Sequence, residues 1–242
     1  MNGMIFAAGL GTRLAPLTLS RPKALVELCG RPLLHHALDA MARAGVECVV
    51  VNAHHFASQI VDYIGRNRHK WRADIVVSDE SDLLLDTGGG VAKALPLFPD
   101  DEPIALYNAD VVTDAPLGDL IASHRKSGSD ATLQTSPRPS TRHLLFDSDG
   151  RLCGWEDVKN GKTLRARDVE AAYREAFNGI HVVEQRLVKA FGAPRPLPIV
   201  SAYLDHAAEF RIVRQPIPGR HYWFDVGTVE KLERAQKALE ER

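Results

Sequence analysis

The sequence lacks most of the features that mark a chain for a special environment. Its 242 residues include only three cysteines, Cys29, Cys48 and Cys153, an odd number with no C-x-x-C spacing. That argues against a disulfide framework or a thiolate zinc site. It leaves the thiols as small buried hydrophobes of a reducing compartment, which predicts the cytoplasm. No apolar run is long enough to span a membrane, and Met4–Ala8 is too short for a signal peptide. Charge of one sign is also missing. With 30 basic residues against 31 acidic ones and a net charge of −1, no global field favours nucleic acid or a membrane surface. There is no obvious Ser/His/Asp or Cys/His arrangement, and no hexapeptide repeat within these residues. What remains, 45% hydrophobic and 25% charged, suits one soluble domain with a sizeable core. Any phosphate chemistry must therefore come from a local site.

Such a site is written at the start of the chain. Met4–Ala8 has the length and flanks of a buried strand, and it breaks at Gly9-Leu10-Gly11-Thr12-Arg13. The two glycines allow a tight turn with bare N–H groups, Arg13 offers a planar fork, and Lys23 of Pro22-Lys23 adds a mobile point charge. Together these describe a cradle for a polyphosphate. A dinucleotide fingerprint would need glycine where Leu14 stands, and a P-loop would close this loop on Gly-Lys-Ser/Thr, whereas the lysine here, Lys23, is far downstream.

Downstream the pattern alternates. Leu33, Leu34, Ala37, Leu38 and Met41 recur at helical spacing after Pro32, which is expected in the first helical turn. Val46–Val51 reads as a buried strand, Phe56–Ile64 as a helix and Ile75–Val77 as a strand. Alternation of this kind predicts an α/β fold: a Rossmann-like three-layer α/β/α arrangement around a mostly parallel sheet. Asp86-Thr87-Gly88-Gly89-Gly90 reads as a loop entering a helix, with glycines that let a flat group approach the backbone. Pro103–Tyr107 is a further strand running into Asn108-Ala109-Asp110. An aspartate there lies where open α/β sheets place their ligands. Short strands around the Asp149-Gly150 turn break the alternation and predict a small hairpin-rich insertion. His35-His36 and His54-His55 are adjacent pairs that diverge, so they read as ordinary surface or core residues. Val229, Leu232, Ala235 and Leu239 form one face of a last, docking helix capped by Thr228.

G-x-G-T-R-L, Pro22-Lys23-Ala24-Leu25, the Glu80…Thr87-Gly88-Gly89 element, Asn108-Ala109-Asp110, Phe177-Asn178-Gly179-Ile180 and Trp223-Phe224-Asp225-Val226-Gly227-Thr228 stand in this order. In that order they resemble the sugar-phosphate nucleotidyltransferases, which join a nucleoside triphosphate to a sugar 1-phosphate. The resemblance implies nucleotide binding by Ala8, Gly9, Gly11, Thr12, Arg13 and Lys23, with Glu80, Thr87, Gly88 and Gly89 at the base and ribose. It implies sugar contacts at Asn108, Asn178 and Gly179, and Mg²⁺ on Asp110 and Asp225. Arg13, Lys23, Asp110 and Asp225 would then carry the catalysis. It further implies a single domain over 1–242, with a nucleotide half to about 115, a sugar half to about 228 and the docking helix beyond.

Many relatives carry an E-K-P element whose lysine meets the sugar phosphate. Here Trp155-Glu156-Asp157-Val158-Lys159-Asn160-Gly161 stands in its place, and Lys159 is not assigned that role. The missing E-K-P, the short length and the L-x-T-G-G-G element most resemble the N-acetylmuramate 1-phosphate uridylyltransferases. Mannose-1-phosphate guanylyltransferases come second. A glycosyltransferase or an inactive nucleotide-binding module are the readings from other classes. Substrates implied are the triphosphate and the sugar 1-phosphate, with no nucleic acid or membrane partner. Oligomeric state is not legible.

Overall fold

The chain enters through β1 (Asn2–Phe6), whose first four residues are buried. In the structure, a computed structural model that describes residues 1–99, 102–217 and 219–242, this strand lies inside a ten-stranded sheet. After the glycine loop, a two-residue ladder of β2 (Glu27–Leu28) and β3 (Arg31–Pro32) leads into α1 (Leu33–Arg43). Pro32 caps that helix from outside instead of joining its first turn. Then come β4 (Cys48–Ala53), α2 (Ala57–Asn67), β5 (Asp74–Asp79), α3 (Asp86–Ala94) and β6 (Ile104–Asn108). β1 pairs in parallel with β4 and β6, and β4 with β5. Helices cover both faces, so the apolar runs of β1, β4 and β6 are buried almost throughout, while Val76 on the edge strand β5 stays exposed.

The second half reverses direction. β7 (Val111–Thr113), α4 (Leu117–Ser127) and β8 (Ala131–Ser136) precede the hairpins β9 (Arg142–Phe146), β10 (Leu152–Asp157) and β11 (Lys162–Arg165). β12 (Tyr173–Val183) is the long strand that joins the two parts. Ile180–Val183 pairs antiparallel with β6, and Tyr173–Glu175 pairs antiparallel with β9. Between them the register against β8 shifts from Phe177 to His181, so Asn178-Gly179 forms a bulge inside a strand and not a hairpin turn. α5 (Gln185–Ala190), α6 (Ile199–His206), β13 (Ile212–Pro216), β14 (Trp223–Asp225) and α7 (Val229–Glu240) complete the chain. α1, α2 and α4 bury their apolar faces on one side of the sheet. α3, α5 and α6 do so on the other. This is the three-layer α/β fold that the alternation predicts.

The triple glycine departs from expectation. Gly88, Gly89 and Gly90 lie buried within α3. The amides of Gly88 and Gly89 donate to Leu197 O at 2.8 and 3.1 Å, and Leu197 N donates to Leu85 O at 2.9 Å. A Cβ on Gly89 would stand 1.9 Å from Arg195 O. The close approach that the glycines permit is real, but its occupant is the chain's own 195–197 backbone. Gly89→Ala is therefore expected to lower stability by about 3 kcal/mol or more, because backbone and not a side chain must move. Gly65→Ala, on the exposed face of α2 with nothing within 4 Å, is expected to raise it by about 0.5–1 kcal/mol. Urea denaturation of both variants checks the pair, and a mild effect at Gly89 would refute the clasp.

His181 on β12 sits wholly buried against Phe177 and Tyr203, with ring centroids 5.2 and 5.6 Å away. Neither ring nitrogen has a partner among the described residues. Burial pushes its pKa down to about 3, so the fold holds the neutral ring while the unfolded chain takes up a proton below about pH 6.5. Stability is thus complete above that pH and drains as the pH falls toward the folded value. The sum is about 2 kcal/mol at pH 5. His181→Leu is expected to remove about that much of the loss between pH 7 and pH 5, read as the difference in unfolding free energy between wild type and variant.

Candidate active site

The strand ends that face the glycine loop are tied by one side chain. Asn52, at the end of β4, accepts from the Ala7 and Ala8 amides through Oδ1 at 2.7 and 3.3 Å. It donates through Nδ2 to Glu80 Oε1 at 2.8 Å. Glu80 Oε2 accepts from Leu85 N at 3.3 Å, and Glu80 O meets His54 Nδ1 at 2.6 Å. Asn52 and Glu80 are both buried. Burial raises the Glu80 carboxyl above the usual range, opposed by the bonds from Asn52 and the Leu85 amide. The expectation that Glu80 receives a base N–H is not met, since both of its oxygens are committed behind the cleft wall. Its work is to orient Asn52. Ala8 likewise spends its amide on Asn52, so it shapes the loop more than it donates.

The donors left for a ligand are further on. The amides of Gly9, Leu10 and Gly11 donate to no protein group among the described residues. Gly11 adopts φ 65°, and a Cβ there would stand 2.8 Å from Lys23 Cβ, so the left-handed turn lets the Lys23 stem pass directly beneath the loop. Lys23 Nζ then reaches Asp110 Oδ2 in an ion pair. Thr12 and Arg13 lie exposed in a single 3₁₀ turn.

Asp110 and Asp225, far apart in sequence, become backbone neighbours. β14 pairs antiparallel with β7, Asp225 opposite Val111, and Val226 N donates to Asp110 O at 2.8 Å. Asp225 Oδ2 lies 2.7 Å from Lys231 Nζ. A Cβ on Gly227 would stand 2.8 Å from Asp225 Oδ1 and 3.3 Å from Arg13 Nη2. The loop arginine and the distal aspartate thus share one corner. Each aspartate has one oxygen on an ammonium, and no group of three or more His, Cys, Asp or Glu side chains forms a metal cage among the described residues. Mg²⁺ takes one or two carboxylates and completes its shell with phosphate and water oxygens, so this donor set fits it.

The sugar-side candidates divide. Asn108 lines the cleft, and Gly179, at the bulge, lies against the Asn108 amide. Asn178 is wholly buried. Its Oδ1 accepts from Ser136 Oγ at 3.0 Å and from Arg138 Nε at 3.3 Å, and its carbonyl accepts from Trp223 Nε1 at 2.9 Å. It is a hub of the bulge and does not reach the cleft as expected. Arg138, which no motif singles out, is what this hub presents. Its Nη2 donates to Phe177 O at 2.9 Å, and its guanidinium lies 3.9 Å above the Trp223 ring. Burial lowers its pKa, and nearby Asp225 opposes that shift.

A cleft of about 440 Å³ gathers these parts, with Ala8, Gly9, Lys23, Thr87, Asn108 and Asp110 in its wall. Thr87 stands at its edge, its hydroxyl accepting from Ile199 N at 3.0 Å, while Gly88 and Gly89 lie behind it. The model of the nucleotidyl transferase family matches residues 2–146. The chain belongs to that family. Over 98% of this chain and 96% of the relative, it is 31% identical to the N-acetylmuramate alpha-1-phosphate uridylyltransferase of Caulobacter vibrioides. It is 27% identical to the catalytic subunit beta of a mannose-1-phosphate guanylyltransferase from Dictyostelium discoideum, over 94% of this chain but 61% of that one. The fold matches a UDP-glucose pyrophosphorylase from Acinetobacter baumanii at a TM-score of 0.79, with 16% identity, over 97% of this chain and 91% of that one. The resemblance read from the motifs is therefore that of a sugar-phosphate nucleotidyltransferase. Among the described residues no helix is long and apolar enough to cross a membrane.

Because Asn52 joins a buried carboxylate to two buried amides, its removal strands all three. Asn52→Ala is expected to cost about 2–4 kcal/mol of stability, and the loop amides should exchange hydrogen faster than in wild type. A loss below about 0.5 kcal/mol in urea denaturation would show that the relay does not hold the loop.

Proposed function

We propose that the chain transfers a uridylyl group from UTP to N-acetylmuramate 1-phosphate and releases pyrophosphate. The observation that carries the reaction type is the meeting of Lys23, Asp110 and Asp225 beside a loop with open amides. The choice of substrates rests on the end-to-end match to the Caulobacter uridylyltransferase. A second reading, GTP with mannose 1-phosphate, is favoured by fungal guanyltransferases that reach 35% and 36% identity. Those matches span 55% of this chain and 36% of the relatives, and over the sugar half the guanylyltransferase reading rests on the Dictyostelium match at 27% identity.

The amides of Gly9 to Gly11 and the Arg13 fork hold the β- and γ-phosphates, and Lys23 neutralises charge at the α-phosphate. Arg138, held rigidly on Trp223, faces the phosphate of the sugar. It supplies the cation that relatives take from the E-K-P lysine. Thr87 and Asn108 line the pocket for ribose and sugar. A phosphate oxygen of the sugar 1-phosphate attacks the α-phosphorus. A new P–O bond forms as the α–β bridge breaks, and pyrophosphate leaves with the electron pair. The second pKa of a phosphate monoester is about 6, so the nucleophile is already ionised at neutral pH and no general base is required. Asp110 and Asp225 would hold Mg²⁺, which supplies charge neutralisation for the phosphates when bound. Catalysis then rests on alignment and electrostatics.

Pyrophosphate release with Mg²⁺ is the test, crossing UTP, GTP, CTP, ATP and dTTP with muramate, mannose, glucose and N-acetylglucosamine 1-phosphates. UTP with the muramate compound should dominate, and GTP with mannose 1-phosphate dominating would replace this reading with the second. Lys23→Ala and Asp225→Asn, each checked for folding by circular dichroism, should lower kcat about 10²–10³-fold. Arg138→Ala should raise KM for the sugar phosphate more than for the triphosphate. Folded variants with unchanged rates would remove those residues from the scheme.

A further inference from the structure

A second cavity of about 440 Å³ lies between the β9–β11 hairpins and α6, and none of the expected site residues lines it. Trp155, Leu164 and Phe177 form its sheet wall, with Val200 and Leu204 opposite on α6. Its ionisable lining is Arg142, His143 and Lys162, with no carboxylate among the described residues that line it. Across the ladders Asp157 stands opposite both Arg142 and Lys162. That single carboxylate is buried, lies 3.6 Å from Arg142 Nε, and accepts from Asn160 N and Nδ2 at 3.3 and 2.8 Å. Lys162 Nζ has no acidic partner within ion-pair distance among the described residues. His143 Nδ1 lies 3.3 Å from Glu156 Oε1, so of the three lining groups only Lys162 lacks a carboxylate among the described residues, and the cavity offers an apolar floor under a rim with one unpaired ammonium.

It also adjoins the first cleft. Pro196 lines one cavity and Pro198 the other. Phe177, whose carbonyl anchors Arg138, opens the bulge that ends against Asn108. Trp155 and Lys162 bracket the segment that stands where relatives carry E-K-P, so that replacement has a structural product: it builds this pocket.

We propose that the second cavity receives an acidic substituent of the sugar, a carboxylate on a short ether or acyl arm. Arg142 and Lys162 hold the carboxylate, and Trp155 lies along the arm. This rests on the reading of the chain as a sugar-1-phosphate uridylyltransferase and names what selects its sugar. A sugar 1-phosphate with no acidic arm leaves Lys162 without a carboxylate, Arg142 with Asp157 alone and the apolar floor uncovered, which lowers its kcat/KM relative to the acid.

The test compares N-acetylmuramate 1-phosphate with the same compound carrying a carboxamide in place of the carboxylate, UTP being held constant. Wild type should favour the acid by about 10–100-fold in kcat/KM, as expected for charge-assisted hydrogen bonds. Arg142→Gln and Lys162→Met should each lower that acid-to-amide ratio by about fivefold or more. The ratio is the readout because a merely structural lesion slows both substrates alike and leaves it unchanged. A wild-type ratio near one, or a ratio unmoved in both variants, overturns the pocket while leaving uridylyl transfer intact. No turnover of either muramate compound, alongside good turnover of another sugar 1-phosphate, overturns the substrate reading and this inference with it.

Discussion

The site depends on an amide that touches no candidate substrate position except through the cleft wall. Asn52 has one face on the amides that follow β1 and the other on a wholly buried Glu80. A carboxylate in such a place is costly unless its oxygens are hydrogen-bonded. Here the bonds that satisfy it also fix which way the Asn52 amide points, because Nδ2 must face Glu80 and Oδ1 must face the loop. The loop therefore leaves β1 with its first two amides already bonded. The glycines beyond them must turn outward with theirs free. A polar relay in the core thus decides which donors face solvent at the surface.

The same logic of paired charge runs through the catalytic corner. The chain has almost no net charge, so its phosphate affinity has to be built from pairs that a ligand can rearrange. Lys23 on Asp110 and Lys231 on Asp225 are such pairs. Each ammonium offsets a carboxylate, and in the proposed reaction each would be released to the phosphates as Mg²⁺ takes the carboxylates. The pairs keep the aspartates from repelling each other across the β7–β14 ladder. They also hold Lys23 pointed into the cleft, where an unpaired lysine would sample many rotamers.

Much of this was legible in the sequence, and the limits have physical causes. The strand–helix alternation, the Gly9–Arg13 turn and the Thr228 cap are local, written in periodicity and in residues with narrow conformational uses. The position of Asp110 at the end of β6, beside the glycine loop, was legible from the apolar strand that precedes it. The errors share a different cause. Glu80, Gly88 and Gly89 have the residue types of a ligand site, but a buried donor or acceptor must find a partner, and a partner from the same chain serves as well as a ligand; Asn178 is so held through Oδ1 and its carbonyl, while its Nδ2 has no partner among the described residues. Which partner such a group finds is set by segments far off in the sequence, such as 195–197 against α3 and Trp223 against the β12 bulge. Arg138 was missed for the same reason. Nothing near it in sequence distinguishes it from any surface arginine, and only the distant Trp223 ring and the Asn178 side chain hold it in place.

β12 joins the parallel core to the hairpin-rich part of the sheet. Its C-terminal half completes the sheet around β6 and is bound to the register of the parallel core. Its N-terminal half leaves that register through the Asn178-Gly179 bulge and carries the β9–β11 hairpins. Hairpins interact mainly with their own neighbours, so lengthening a turn or exchanging Trp155-to-Gly161 for another segment changes the cavity beside α6 first. The bulge is the joint between the two regimes. It also supports Arg138, meets Asn108 and accepts from Trp223 of β14, so a change in the hairpins can reach Asp110 and Asp225 through these contacts.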